Sequence, residues 1–100
     1  MNDSTMIKVD QARAEELLAS LPGGWALEEG HLAKVFDFAN FVGGLDFVNR
    51  VGEIAEAINH HPDVYLSFKQ VRLDIYSHKL GGLCQADFEL AREIERLPPR

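Results

Sequence analysis

NFVGGLDFVNRVGEIAEAINHHP, residues Asn40 to Pro62, is the stretch from which the architecture of the chain can be read. Asn40 is a good N-cap, because its short side chain can accept from the first free backbone N–H groups of a helix. Phe41, Leu45, Val48, Val51 or Gly52, Ala55 and Ile58 then recur at spacings of three and four, with Phe47 and Ile54 widening the stripe. The spacing predicts a long amphipathic helix ending near Asn59. Pro62 disfavours helical geometry at His61, so the chain must turn out there. Gly43, Gly44 and Gly52 each cost about 1 kcal/mol relative to alanine in a helix interior. Their presence points to close packing against another element or subunit.

On the C-terminal side, Asp63–Phe68 and Val71–His78 read as a hairpin joined at Lys69-Gln70. The second of these strands alternates, with Val71, Leu73 and Ile75 on one face and Arg72, Asp74, Tyr76 and His78 on the other. A last helix is expected over 85–97, with Phe88, Leu90, Ala91, Ile94 and Leu97 mostly on one side and Pro98-Pro99 as its stop. On the N-terminal side, Trp25–Glu29 and His31–Phe38 flank Gly30 as a first hairpin, whose alternation does not show which face is buried. Asp10 caps a short helix over 11–21, ended by Pro22-Gly23-Gly24, and residues 1–9 read as a flexible arm ahead of a single domain, residues 10–100. The order α-β-β-α-β-β-α fits an α+β fold. Its four-stranded antiparallel sheet would carry all three helices on one face, because a half-apolar sheet needs cover on that side only.

One hundred residues make one domain, and 46% hydrophobic with 26% charged residues is a globular balance. A formal charge of −6 gives no overall basic field for nucleic-acid phosphates, so direct nucleic-acid binding is not expected. A single cysteine, Cys84, excludes an intramolecular disulfide and suits a reducing compartment. The polar N-terminus lacks a signal-peptide core and no apolar run reaches the ~20 residues that span a bilayer, so the expectation is cytoplasmic, without membrane attachment.

Three of the four histidines, His60, His61 and His78, fall at element ends next to a proline and a Gly-Gly turn. Imidazole changes charge near neutral pH, which opens proton transfer, metal ligation or a purely structural role. Metal ligation is awkward for the pair, because adjacent side chains diverge and no HxH or HxxxH spacing is present. Taken singly, each histidine reads as a surface or capping residue, and His31 keeps that reading. Cys84, at the start of the last helix, reads as a buried or capping thiol; no nucleophile elbow and no glycine-rich phosphate loop occur. Acid–base chemistry, with Glu56 one turn before His60, needs no cofactor.

Glu56, His60-His61-Pro62, Phe68, His78 and Asp87, with the intervals between them, resemble the signature of the pterin-4a-carbinolamine dehydratases. The similarity extends to Gly24-Trp25, Phe36-Asp37-Phe38, Phe47–Val51 and Gly82-Leu83, covering about Asp10 to Glu95. The resemblance implies dehydration of 4a-hydroxytetrahydropterin, without a cofactor or metal, in the recycling of the tetrahydropterin used by aromatic amino acid hydroxylases. It implies His60, His61 and His78 as the catalytic set, and Trp25, Glu56, Pro62 and Asp87 as substrate-binding or flanking positions. Cys84 stands where many relatives carry serine, so a looser start to the last helix is expected. The glycine-bearing long helix and the sheet edge are expected to form a homodimer or homotetramer. Family members also serve as a dimerisation cofactor for a transcription factor or as assembly chaperones for RuBisCO, the latter usually with a degraded histidine motif; here the motif is intact.

Overall fold

The structure, a computed structural model, describes residues 6–98. It runs α1 (Gln11–Ala19), β1 (Ala26–Glu28), β2 (His31–Asp37), α2 (Phe41–Ile58), β3 (Asp63–Leu66), β4 (Gln70–Ile75) and α3 (Gln85–Glu95). The strands form one antiparallel sheet in the order β1-β2-β4-β3, and the element order is the one the sequence predicts. Of the arm read over residues 1–9, Met1–Thr5 lie outside the described residues. Its inner end is pinned, with Lys8 bridging to Cys84 and the Val9 N–H donating to Leu83 O at 2.8 Å. No helix among the described residues is long and apolar enough to cross a membrane.

Both expected N-caps form. Asp10 Oδ1 accepts from Arg13 N–H and Asn40 Oδ1 from Gly43 N–H, each at 2.8 Å. At the far end of α2, Asn59 turns left-handed (φ 55°), a conformation asparagine tolerates, and the His60 N–H closes onto Ala55 O. The chain therefore leaves the helix with both histidines beyond its last turn.

The helices cover the sheet face that carries Leu32, Phe36, Val71, Leu73 and Ile75, all at most 1% exposed. Phe88, Leu90, Ala91 and Ile94 of α3 join them in one core with Ala14, Leu17 and Leu21. The buried stripe of α2 is Gly44, Phe47, Val51 and Ala55, which corrects the sequence reading. Phe41 and Leu45, placed on the inward stripe, are 43% and 40% exposed. The first half of α2 is apolar around most of its circumference, so spacing alone does not choose a face. Gly44 chooses it: a Cβ there would stand 3.2 Å from Leu66 and 3.5 Å from Val71. The helix lies close on β3 and β4 because that Cβ is missing. Gly52, by contrast, has nothing within 4 Å of where its Cβ would be.

Candidate active site

The end of α2, the end of β4 and the start of α3 meet at Asp87. This carboxylate is completely buried and engaged on both oxygens. Oδ1 lies 2.6 Å from His60 Nε2 and accepts from Ser77 Oγ at 3.1 Å; Oδ2 accepts from the Cys84 N–H at 2.8 Å and from Ser77 Oγ at 3.0 Å. Asp87 is the third residue of α3, and its bond back to Cys84 N–H satisfies a donor that the helix start would otherwise orphan. The helix start expected to be loose, because cysteine caps poorly, is instead held by the aspartate. The same carboxylate reaches out to His60. With Asp87 ionised, Nε2 carries the proton it donates, which fixes the ring's tautomer and leaves Nδ1 with a lone pair.

His61 and His78 are held differently. His61 Nε2 pairs with Glu56 on the exposed flank of α2, where the two side chains are 52% and 79% exposed. His78 is exposed and, among the described residues, its ring makes aromatic contacts and no side-chain hydrogen bond. It meets Tyr76 edge-on at 4.9 Å and His31 at 6.4 Å. Its nitrogens are free to exchange protons with a bound molecule. No hydrogen bond, ion pair or ring contact among the described residues joins His60, His61 and His78 directly. His60 and the His78 segment are connected through Asp87, whose carboxylate grips both His60 and Ser77, the residue before His78, while His61 is held separately by Glu56.

The fourth histidine, read from sequence as a surface residue, belongs to this neighbourhood. His31 Nδ1 lies 2.6 Å from Asp74 Oδ1, and its ring stacks on Tyr76 with centroids 4.0 Å apart and planes 10° from parallel. The antiparallel register of β2 on β4 pairs Leu32 with Ile75, so one further step sets His31 opposite Tyr76. Tyr76 in turn borders an open cleft of about 520 Å³, with Lys8, Asp10, Glu29, Gly82 and Leu83 among its walls.

Trp25 lies elsewhere. It is 7% exposed, packs edge-on against Phe36, and donates its indole N–H to Glu95 Oε1 at 2.8 Å. Glu95 is the last residue of α3 and Asp87 its third, so about 12 Å of helix separates them at 1.5 Å per residue. Among the described residues no hydrogen bond or ring contact joins Trp25 to the histidines. Lys34, on the buried face of β2, reaches the same Glu95 and Gly23 O. Pro62 is half-buried just after the histidine pair.

Burial pushes the Cys84 thiol above its ordinary range, and the Asp87 carboxylate beside it adds to the rise, against a lowering hydrogen bond with Ser77. At neutral pH it is a neutral, poorly nucleophilic thiol. The arrangement is thus one of oriented and free imidazoles, suited to moving protons without a covalent intermediate.

A family model and the sequence relatives agree on the family. The model of the pterin 4 alpha carbinolamine dehydratase family matches residues 7–97. A protein of Rubrobacter xylanophilus, provisionally named a pterin-4-alpha-carbinolamine dehydratase, is 45% identical over 83 residues, covering 83% of this chain and 78% of its own. A crystal structure from Brucella melitensis, titled a transcriptional coactivator/pterin dehydratase, shares the fold with a TM-score of 0.83 at 22% identity, covering 89% of this chain and 96% of that one. A second structure, described as a pterin dehydratase-like RuBisCO assembly factor of the alpha-carboxysome, superposes with a TM-score of 0.61 at 19% identity over 72% of this chain and 86% of its own. The chain belongs to the pterin-4-alpha-carbinolamine dehydratase family.

Proposed function

We propose that this protein dehydrates 4a-hydroxytetrahydropterin to the quinonoid dihydropterin and water, recycling the tetrahydropterin of aromatic amino acid hydroxylases. The reaction breaks the C4a–O bond as N5 gives up its proton and a C4a=N5 double bond forms; the departing hydroxyl takes up a proton and leaves as water. It needs one group to accept a proton and another to supply one, and such catalysis contributes about 10²–10⁴-fold. The observation that carries the reading is the pairing of an oriented histidine with a free one. His60 is locked by the buried Asp87, and His78 stands one residue from the Ser77 that the same carboxylate holds. His60 and His78 transfer the protons, and His61, paired with Glu56, polarises the leaving hydroxyl. Pro62, directly after the His60-His61 pair, turns the chain out of α2 and so sets where the two imidazoles meet the substrate. Asp87 acts through His60. The pterin is the partner the chemistry requires.

A second reading rests on a different observation. Phe41, Val42 and Leu45 form an exposed apolar cluster on the first turns of α2, and Tyr65 and Phe68 are exposed at and beyond β3. Such surface suits contact with another protein or another copy of this chain, a homodimer or homotetramer.

The test is the dehydration of 4a-hydroxytetrahydropterin by wild type and by His60→Ala, His61→Ala and His78→Ala. The reading requires wild type to exceed the uncatalysed rate and the variants to lose most of that excess. A wild type no faster than buffer sinks the enzyme reading, and three fully active variants sink the assignment of residues.

A further inference from the structure

Cys84, His60 and Asp87 are the one group among the described residues in which metal-ligating side chains of three chemistries converge. A ring nitrogen of His60, Cys84 Sγ and a carboxylate oxygen of Asp87 lie within 4.8 Å of one another. Zinc bonds of about 2.0–2.3 Å in a tetrahedral shell set ligand atoms roughly 3.3–3.8 Å apart, so closing the cluster asks for shifts on the order of 1 Å. Cys84 and Asp87 are fully buried, and His60 keeps 11% of its side chain exposed, which makes the His60 ring the entrance.

We propose that this cluster captures a soft divalent cation of the zinc type and that capture switches the site off. The second half rests on the reading of His60 as a proton-transfer group. On binding, the thiol releases its proton to solvent and ligates as thiolate. The ring nitrogen gives its lone pair to the ion, the imidazole proton moving to the other nitrogen. Asp87 turns Oδ1 from His60 to the metal while Oδ2 keeps its bond to the Cys84 N–H. Two anionic ligands cancel the dication's charge, which removes the main cost of placing an ion in a buried corner. Ser77 Oγ, 3.0 Å from Asp87 Oδ2 and 3.4 Å from Cys84 Sγ, stays as a hydrogen-bonding partner that orients both ligands. Water completes the shell. The thiolate selects zinc over magnesium or calcium, which prefer oxygen. His60, its lone pair taken, then moves no proton.

Cobalt(II) titrated into the metal-free protein provides a probe independent of activity. Wild type should show a thiolate-to-cobalt charge-transfer band that saturates at one equivalent and that zinc, but not magnesium, displaces. Cys84→Ser should lose the band and bind zinc at least about 100-fold more weakly against a chromophoric chelator. His60→Gln, which leaves the buried cap in place, should weaken binding too. In the dehydration assay zinc should inhibit wild type at the concentration that saturates binding, and inhibit Cys84→Ser only at far higher concentration. Absence of the band at stoichiometric cobalt, or equal zinc affinity in wild type and Cys84→Ser, overturns the site. Binding without inhibition of an active enzyme overturns the switch. If the band forms in a protein with no dehydratase activity, the metal site stands and the reading of the reaction falls.

Discussion

Replacing Asp87 by asparagine tests how one buried carboxylate holds both a helix and a histidine. An asparagine fits the same space but has one acceptor oxygen where the aspartate has two. If the oxygen stays at the Oδ1 position, the new NH₂ confronts the Cys84 N–H, donor against donor in a buried place. The side chain avoids this by keeping oxygen toward Cys84 and turning NH₂ toward His60, which must then present a lone pair on Nε2 and carry its proton on Nδ1. Hydrogen bonds to a charged group contribute about 1.5–3 kcal/mol and neutral ones about 0.5–1.5 kcal/mol. Losing charge assistance toward His60 and Cys84 therefore costs roughly 2 kcal/mol, partly offset because a buried charge is no longer desolvated. The net expectation is a loss of about 1–2 kcal/mol with the fold intact. With a urea m-value near 1 kcal/mol/M at the low end of the usual range, the midpoint falls by about 1–2 M. Urea titration followed by circular dichroism reads the stability, and long-range proton–nitrogen NMR of the His60 ring reads the tautomer. An unchanged midpoint together with a His60 proton still on Nε2 would refute the reasoning.

Further outcomes follow from local geometry. Gly52→Ala should stabilise α2 by about 1 kcal/mol, since the helix gains propensity and the added methyl meets nothing. Gly44→Ala should fail to gain and should destabilise, because its methyl presses on Leu66; thermal unfolding of the two variants side by side checks the contrast. Native Cys84 should resist alkylation at pH 8 and react at the ordinary rate once urea unfolds the chain. Because its folded pKa is raised, the unfolded chain loses the proton first, so this residue's contribution to stability is complete below about pH 8.5 and declines above it, which Cys84→Ser would remove. His31→Ala should free the Tyr76 ring and broaden the orientations of His78, visible as line changes in the His78 ring resonances while the backbone spectrum elsewhere is kept.

Strand β4 was legible because period-two alternation is a local signal. Val71, Leu73 and Ile75 are all fully buried, whereas Arg72, Asp74 and Tyr76 are only partly so. Strand β2 was legible as a strand, but its buried face was not, because a lysine sits on the inward side. Lys34 is tolerated there through Glu95, 61 positions away, with Gly23 O as a second acceptor, and no local pattern announces such partners. The caps of α1 and α2 were written in Asp10 and Asn40, but the buried face of α2 was set by Gly44 and its fit to β3 and β4, a tertiary fact. At the site, the motif brought His60, Asp87 and His78 to attention. What it concealed was that Ser77 and Cys84 complete the Asp87 cluster and that His31 stacks on Tyr76, edge-on to His78. His31 had one available signal, the cross-strand register that sets it opposite Tyr76, and register cannot be fixed by a hairpin pattern whose buried face is ambiguous. Trp25, which the resemblance puts among the substrate-binding positions, packs on Phe36 and bonds Glu95 at the C-terminal end of α3, a placement that no local pattern announces.

The decisive measurement is the rate at which 4a-hydroxytetrahydropterin loses water in the presence of wild type and of His78→Ala, whose exposed ring makes no side-chain hydrogen bond among the described residues. The fold of the variant should be unchanged and its rate enhancement should drop by about 10²-fold or more, the share a proton-transferring group supplies. A wild type that does not exceed the spontaneous rate, or a His78→Ala protein that keeps the full enhancement, would contradict a mechanism built on one locked and one free histidine.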